Sequence, residues 1–376
     1  MDEIRTRKRI RFGSVCCFAL LLAFGAGAAF ASEEAGPELA PPEPDLEKAS
    51  PQQRVPAPTG PWGGITFLGR EIAPGSRLRF GFADEPNFTT ALLNTLVLVS
   101  RGTRPGPTLC LTAAVHGDEI NGVEIARAVF ERTDPAALGG MLVALPIVNA
   151  HGFRRGDRFL ADRRDLNRFF PGSPRGSNAQ RLAHLIFSKV MVHCDAAIDL
   201  HTGSLDRTNL PQVRADLSNP AVAALAEHFD VGIVVDGAGP EGSLRRASVD
   251  AGIPTIIYEA GQPLRFEREE IDRGVEGVEN VLEQLGMLER EPPPPDPQRI
   301  YRRSRWVRAE GGGIFFPARS LGDTVKSGDL LGTVTDPLTD ERSEIVAPEA
   351  GRIIGMALPQ VVLPGFATFH LGVATR

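Results

Sequence analysis

The sequence predicts an α/β fold: a doubly wound, mostly parallel central sheet, with a small C-terminal all-β domain. Three observations predict it. Between Thr108 and about Leu288, strand-like apolar runs alternate with helix-like segments, the pattern of a parallel sheet covered by helices on both faces. The strand runs are nearly continuous in apolar residues, as strands buried on both sides must be. Beyond Glu291-Pro-Pro-Pro-Pro-Asp-Pro297 the helical periodicity stops, and short strands punctuated by Gly and Pro run from Gly313 to Val373.

The segments follow in order. Residues 1–31 read as an export signal: Arg5, Arg7, Lys8, Arg9 and Arg11 precede an apolar run from Val15 to Phe30 that ends in Ala29-Phe30-Ala31. That run is short for a membrane span, which needs roughly 20 apolar residues. The expected location is periplasmic or secreted, with an uncleaved N-terminal anchor as the alternative. Residues 32–61, rich in Pro and acidic residues, read as a flexible tether. The catalytic domain is expected over 62–290, a stiff proline linker over 291–298 and the β domain over 299–376.

Within the catalytic region, short strands are expected around Arg77–Phe80 and Thr95–Ser100, and a buried strand over Thr108–Val115. A helix carrying Val123, Ala126 and Phe130 on one face comes next, then a strand over Met141–Val148. Ser177 or Asn178 can cap a helix bearing Leu182, Leu185 and Ile186, and Asn219-Pro220 opens another. Strands at Ala196–Leu200, Gly232–Val235 and Ile253–Tyr258 complete the alternation. His116, His201 and Glu259 all fall at the carboxyl ends of strands, where such sheets place their chemistry.

The chain of 376 residues has a formal net charge of −6. Removing residues 1–31 takes away five basic and two acidic side chains, a loss of +3, and leaves −9. So acidic a chain has no global attraction for nucleic acid. Of the cysteines, only Cys110 and Cys194 lie beyond the leader. They read as two small buried thiols, although an exported protein permits a disulfide. No further membrane span is expected, and self-association into a homo-oligomer is compatible with the sequence.

Three motifs carry chemistry: His116-Gly-Asp-Glu119, Asp199-Leu-His201-Thr-Gly203 and Tyr258-Glu259-Ala-Gly261. His116 and Glu119, three apart where a strand turns into a helix, can share one helical face and one ion. With His201 they make two imidazoles and one carboxylate. Three protein ligands leave the fourth position of a zinc ion open to water, as in a catalytic rather than a structural site. Asp165 or Asp199 can orient an imidazole from behind, and Asp165 is assigned to His116. Glu259 ends an apolar strand, where a carboxylate needs a partner or a cleft; it fits a general base that takes the proton from the zinc-bound water. In the arginine-rich stretch from His151 to Gly172, Arg158 can stabilise an oxyanion. Asn167 and Arg168 make a fork for a substrate carboxylate, and Arg214 is a further anion contact.

His-Gly-Asp-Glu, Asp165-Leu-Asn-Arg-Phe-Phe-Pro-Gly172, Asp-Leu-His-Thr-Gly and Tyr-Glu-Ala-Gly, in this order, resemble the succinylglutamate desuccinylase/aspartoacylase family, relatives of the M14-type zinc carboxypeptidases. The resemblance implies one zinc ion on His116, Glu119 and His201, Asn167 and Arg168 on the substrate carboxylate, Arg158 at the oxyanion and Glu259 as base. The implied reaction is hydrolysis of the amide bond of a small N-acyl amino acid. The Gly322–Leu331 segment resembles the barrel-sandwich, lipoyl-like carrier fold, but no lysine follows Lys326, so no carrier role is expected. In the resembled family such a β domain borders the active-site entrance. An M14-type carboxypeptidase trimming short or cell-wall peptides is the alternative, and a non-catalytic binding protein on the same scaffold is a third reading.

Overall fold

The computed structural model describes residues 64–82, 95–291 and 297–373. The leader and the tether lie outside the described residues, as does most of the proline linker.

A hairpin of β1 (Ile65–Phe67) and β2 (Arg70–Ile72) precedes β3 (Ser76–Phe82) and β4 (Thr95–Arg101). Then come β5 (Arg104–Ala113), α1 (Asn121–Arg132), β6 (Gly139–Leu145), α2 (Ala150–Arg155) and α3 (Asn178–Lys189). Next are β7 (Ala196–His201), β8 (Arg207–Ala215), α4 (Pro220–Phe229), β9 (Ile233–Asp236), α5 (Leu244–Asp250), β10 (Thr255–Gly261) and α6 (Arg268–Gln284). From residue 299 onward the described residues form strands and turns. These strands are β11 (Arg299–Tyr301), β12 (Arg303–Arg308), β13 (Gly313–Pro317), β14 (Thr324–Val325) and β15 (Leu330–Thr335). The last four are β16 (Arg342–Val346), β17 (Gly351–Ala357), β18 (Gln360–Val362) and β19 (Ala367–Val373).

The centre of the sheet is the parallel set β6-β5-β7-β10. Alternation along these strands feeds two cores. Leu109, Leu111 and Ala113 of β5 join Ile198 and Leu200 of β7 on the face covered by α1, α4 and α6. Cys110, Val143 and Ala197 point to the other face, against Leu182, Ala183 and Ile186 of α3. Full burial on both faces is why these runs carry no polar alternation.

Outside that centre the pairing changes. β4 and β8 flank it antiparallel, so the thirteen-stranded sheet is mixed where the sequence pattern predicts a mostly parallel one. β8 escapes the pattern because Arg207, Thr208, Gln212 and Arg214 interrupt its apolar run. Through β17, which pairs with β8, the C-terminal strands β19 and β12 prolong the same sheet. A separate four-stranded sheet, β16-β15-β13-β18, shares a core with them in which Phe315 meets Phe369 edge-on, ring centroids 5.7 Å apart. Among the described residues no helix is long and apolar enough to cross a membrane.

The starts of α3 and α4 follow their caps. Ser177 and Gln180 form a capping box at α3, and Asn219 caps α4 with Pro220 at its first position. α6 has a regular apolar face of Ile271, Val275, Val278, Val281 and Leu282, and glycines beside it allow close packing. Gly274 lies against Ile125 and Tyr258, and Gly277 against Phe229, where a side chain has no room.

The cysteine expectation needs correction: Cys110 and Cys194 form a disulfide, Cα atoms 5.8 Å apart. Cys110 lies on β5 beside β7, and Cys194 sits two residues before β7 begins. The pairing of neighbouring parallel strands brings the sulfurs together, and sequence spacing does not reveal it.

Candidate active site

The turn after β5 builds the first half of the site. Ala114 adopts a left-handed backbone, φ +46°, and the amide of Glu119 bonds back to His116 O at 3.2 Å. His116 and Glu119 therefore share a tight turn that ends before α1 starts at Asn121; the helical face expected for them is replaced by this turn, with the same reach. Gly117 permits the turn to seat, since a Cβ there would lie 2.1 Å from the backbone of Gly152 and Phe153. His201, the last residue of β7, supplies the second ring.

The three side chains converge. His116 Nδ1 lies 2.8 Å from Glu119 Oε1, and His201 Nδ1 lies 2.6 Å from Glu119 Oε2. All three residues are buried, and their ligand atoms lie within 4.8 Å of one another. Each ring turns its other nitrogen to a carboxylate: His116 Nε2 to Asp165 Oδ1 at 3.1 Å, and His201 Nε2 to Asp199 Oδ2 at 2.8 Å. Asp199 is itself held by the Thr112 hydroxyl at 2.6 Å. Such outer carboxylates fix the tautomer that leaves Nδ1 free to ligate.

Charge is concentrated and compensated here. Burial pushes the Glu119 carboxyl up, but the two imidazoles outweigh it and hold the group well below its ordinary range. Burial depresses His201, but Asp199 and Glu119 outweigh it and raise the ring well above its ordinary value. For Asp165 too, burial is outweighed, here by His116 and Arg158, and the carboxyl stays below its ordinary range. Two rings gathered on one carboxylate are a donor set that a divalent cation satisfies by displacing protons from between them. Two nitrogens and one oxygen suit zinc at about 2.0–2.2 Å, with a coordination place left over. The residues present fit the ion.

Glu259 stands in the same cleft. Its Oε2 accepts from Asn209 Nδ2 and Arg214 Nη2, both at 2.7 Å. Its neighbour Tyr258 points the other way, into the α6 core, with its hydroxyl on Glu270 O at 2.9 Å. Arg214, expected to contact an anion, is thus engaged with Glu259. Arg158 donates to Ser204 Oγ at 2.6 Å and to Asp165 Oδ2 at 2.8 Å. Ser204 Oγ in turn hydrogen-bonds Glu119 Oε1. Asn167 uses its carbonyl oxygen on the Leu244 amide at 2.8 Å, anchoring the start of α5, which leaves its amide nitrogen as the ligand donor. Arg168 is half exposed and donates to Asn167 O at 2.7 Å.

These residues line one cleft of about 340 Å³. Sequence reasoning missed several of its walls: Arg207, Asn209, Arg245, Trp306 and Arg308. Arg245 is 5% exposed, and burial, with Arg214 nearby, brings its guanidinium down to about 10. No local motif marks these side chains, because β8, α5 and β12 meet only in the folded sheet. A clue was present in β8, where a polar strand interrupts the apolar alternation.

Residues 105–285 match the catalytic-domain model of succinylglutamate desuccinylase/aspartoacylase. The chain is 26% identical over 272 residues to the N-α-acetyl-L-2,4-diaminobutyric acid deacetylase of Halomonas elongata, covering 69% of this chain and 79% of that one. Among solved structures it resembles a succinylglutamate desuccinylase/aspartoacylase from Rhodobacter sphaeroides, with TM-score 0.68 and 27% identity over 74% of this chain and 88% of that one. It also resembles the product-bound ectoine utilization protein EutE (DoeB) from Ruegeria pomeroyi, with TM-score 0.74 and 25% identity over 84% and 99%.

Proposed function

We propose that this chain, which belongs to the succinylglutamate desuccinylase/aspartoacylase family, hydrolyses the amide bond of a small N-acyl amino acid. One zinc ion is held by His116, Glu119 and His201. The observation that carries this reading is the convergence of those three buried side chains in the same cleft as Glu259. The Halomonas elongata relative, named for removing an acetyl group from an amino acid, supports a deacylase over the carboxypeptidase alternative.

When bound, the cation supplies Lewis acidity to the attacking water and the amide carbonyl. The protein supplies the rest. Asn209 and Arg214 hold Glu259 through Oε2, leaving Oε1 to accept a proton from water and to deliver it to the leaving nitrogen. Arg158, braced by Asp165 and Ser204, stands ready for the negative charge that develops on the carbonyl oxygen. Asn167 and Arg168 orient the carboxylate of the amino-acid half. Water adds to the carbonyl, the C–N bond breaks, and a carboxylate and a free amine result.

Export is part of the proposal. The basic, apolar, small-residue leader supports it, and so does the Cys110–Cys194 disulfide, because disulfides persist in oxidising compartments. A panel of N-acetyl, N-succinyl and longer N-acyl amino acids, alongside short peptides, tests the reaction. Amine release from acyl amino acids is expected, with peptides left intact. Loss of C-terminal residues from the peptides instead would establish the carboxypeptidase alternative.

A further inference from the structure

Two helices start beside the site, and neither is capped by a side chain of its own. Asn121 is the first residue of α1, two residues beyond Glu119, and Glu267 immediately precedes α6. Polar side chains at a helix start commonly satisfy the free amides of its first turn. These two turn to each other instead, across 146 residues of chain. Asn121 Nδ2 donates to Glu267 Oε2 at 3.2 Å, and the Glu267 amide donates back to Asn121 Oδ1 at 3.0 Å. Glu267 Oε2 also accepts the Gln262 amide at 2.8 Å, and Asn121 Nδ2 reaches Ala260 O at 3.3 Å. Asn121 is 1% exposed, so a partner lost here is not replaced by water.

The pair grips the backbone just beyond Glu259. Glu259 faces His201 across the parallel pairing of β10 with β7, but the pairing of β10 with β8 becomes irregular between Glu259 and Gly261. The bonds to Ala260 and Gln262 fall on either side of that break. Gly261 has φ +76°, and a Cβ on it would collide with Glu267 Oε2, so the glycine is what lets the carboxylate seat. The Gly203 amide donates to Gly261 O at 3.0 Å, and the Leu264 amide to Asp118 O at 2.8 Å. Gly122 lets α1 begin directly against Leu200, the residue before His201. One helix start therefore meets all three strand ends that carry the chemistry: β5 through the Glu119 turn, β7 through Gly122 and β10 through Asn121.

We propose that Asn121 and Glu267 are positioning residues whose clasp fixes the backbone of Glu259 relative to the metal ligands. Asn209 and Arg214 fix its side chain from β8; the clasp holds its main chain from α1 and α6. The proposal rests on reading Glu259 as the base of a hydrolase. A displacement of about 1 Å in a reacting group can cost about 100-fold in rate, while metal and substrate still bind.

Asn121→Ala, Glu267→Ala and Glu267→Gln in the zinc-loaded full chain test this, with the N-acetyl or N-succinyl amino acid that the unmodified enzyme hydrolyses best. Each alanine variant should lower kcat by about 10- to 100-fold, with KM and zinc affinity within about three-fold. Both break the same clasp, so the double alanine variant should be no slower than the worse single one. Glu267→Gln keeps an acceptor for Gln262 and Asn121 and should recover most of the rate. Hydrogen exchange reads the clasp without turnover: protection of residues 260–264 should fall in the alanine variants, with β5 and β7 still protected. Unchanged kcat, a loss matched by zinc release or by the unfolded fraction, or losses that multiply in the double variant would each overturn the proposal. Should Asn121→Ala fail to fold, the two Glu267 variants, on a part-buried side chain, decide by the same measures. If the enzyme hydrolyses no acyl amino acid, exchange still decides. Selective loosening after Glu259 with zinc retained would keep the clasp while the hydrolase reading falls, and unchanged protection there would overturn the clasp itself.

Discussion

At the scale of single residues, Glu119 is the hub. It meets both imidazoles and receives the Thr202 amide at 3.2 Å, so one carboxylate ties together the ends of β5 and β7. This part was legible in sequence because each ligand sits in a short motif at the carboxyl end of an apolar strand. Asp165 behind His116 was legible too, whereas Asp199 behind His201 could equally have been satisfied by backbone. Substituting Asp199→Asn keeps the shape but reverses a hydrogen-bonding role, and should weaken zinc affinity by about 10- to 100-fold, read by competition with a chelating dye. Unchanged affinity would leave Asp199 without a part in orienting the ring. Glu259→Gln should retain full zinc content while turnover falls by about 100- to 10,000-fold. A variant that loses its zinc as well would move Glu259 into the metal shell. Arg214 shows the limit of residue-level reading: a lone arginine in sequence looks free to bind substrate, and its partner Glu259 lies across a strand pair that no spacing indicates.

At the scale of elements, strands buried on both faces were legible, as were α1 from its apolar face and α3 and α4 from their caps. The short helices α2 and α5 were missed although Asn149 and Ser243 cap them. β8 and α6 were missed as well. The first is a partly polar strand inside the sheet, paired with β10 and β17, and the second starts at Glu267 without a side-chain cap. The disulfide belongs to this scale because it joins β5 to the residues leading into β7. Closing an 84-residue separation, it should stabilise the fold by up to about 4–5 kcal/mol in the chain-entropy picture. Urea unfolding of the Cys110→Ser/Cys194→Ser protein should show a lower midpoint with the zinc site still formed. An unchanged midpoint would make the bridge incidental. Gly117→Ala should be more damaging to function, because the added methyl group meets backbone at 2.1 Å and displaces the turn that carries His116 and Glu119. Zinc loss out of proportion to any drop in melting temperature is the expected sign.

At the scale of the whole molecule, the C-terminal strands are joined to the catalytic sheet through β17 and β8 and help to wall the cleft. That continuity was invisible in the sequence, which shows a proline-rich break and a change of periodicity. His370 sits in this junction, its Nδ1 without a partner, and burial with Arg214 nearby depresses its ring to about 3. Because the unfolded ring protonates near its ordinary value of 6.5 and the folded ring resists, its contribution to stability is intact above that pH. It is lost as pH falls from there toward 3. His370→Phe should therefore flatten the acid side of the stability profile, measured by urea midpoints at neutral and mildly acid pH. A profile that stays as steep would place the sensitivity elsewhere.

The central claim is that His116, Glu119 and His201 hold one catalytic zinc ion. Crystals of the zinc-loaded protein, measured for anomalous scattering at the zinc edge, test it most directly. A single peak is expected at about 2.0–2.2 Å from both Nδ1 atoms and from a Glu119 oxygen, with one coordination place facing the cleft and Glu259. No peak there, or a peak closed off by a fourth protein ligand, would contradict the account.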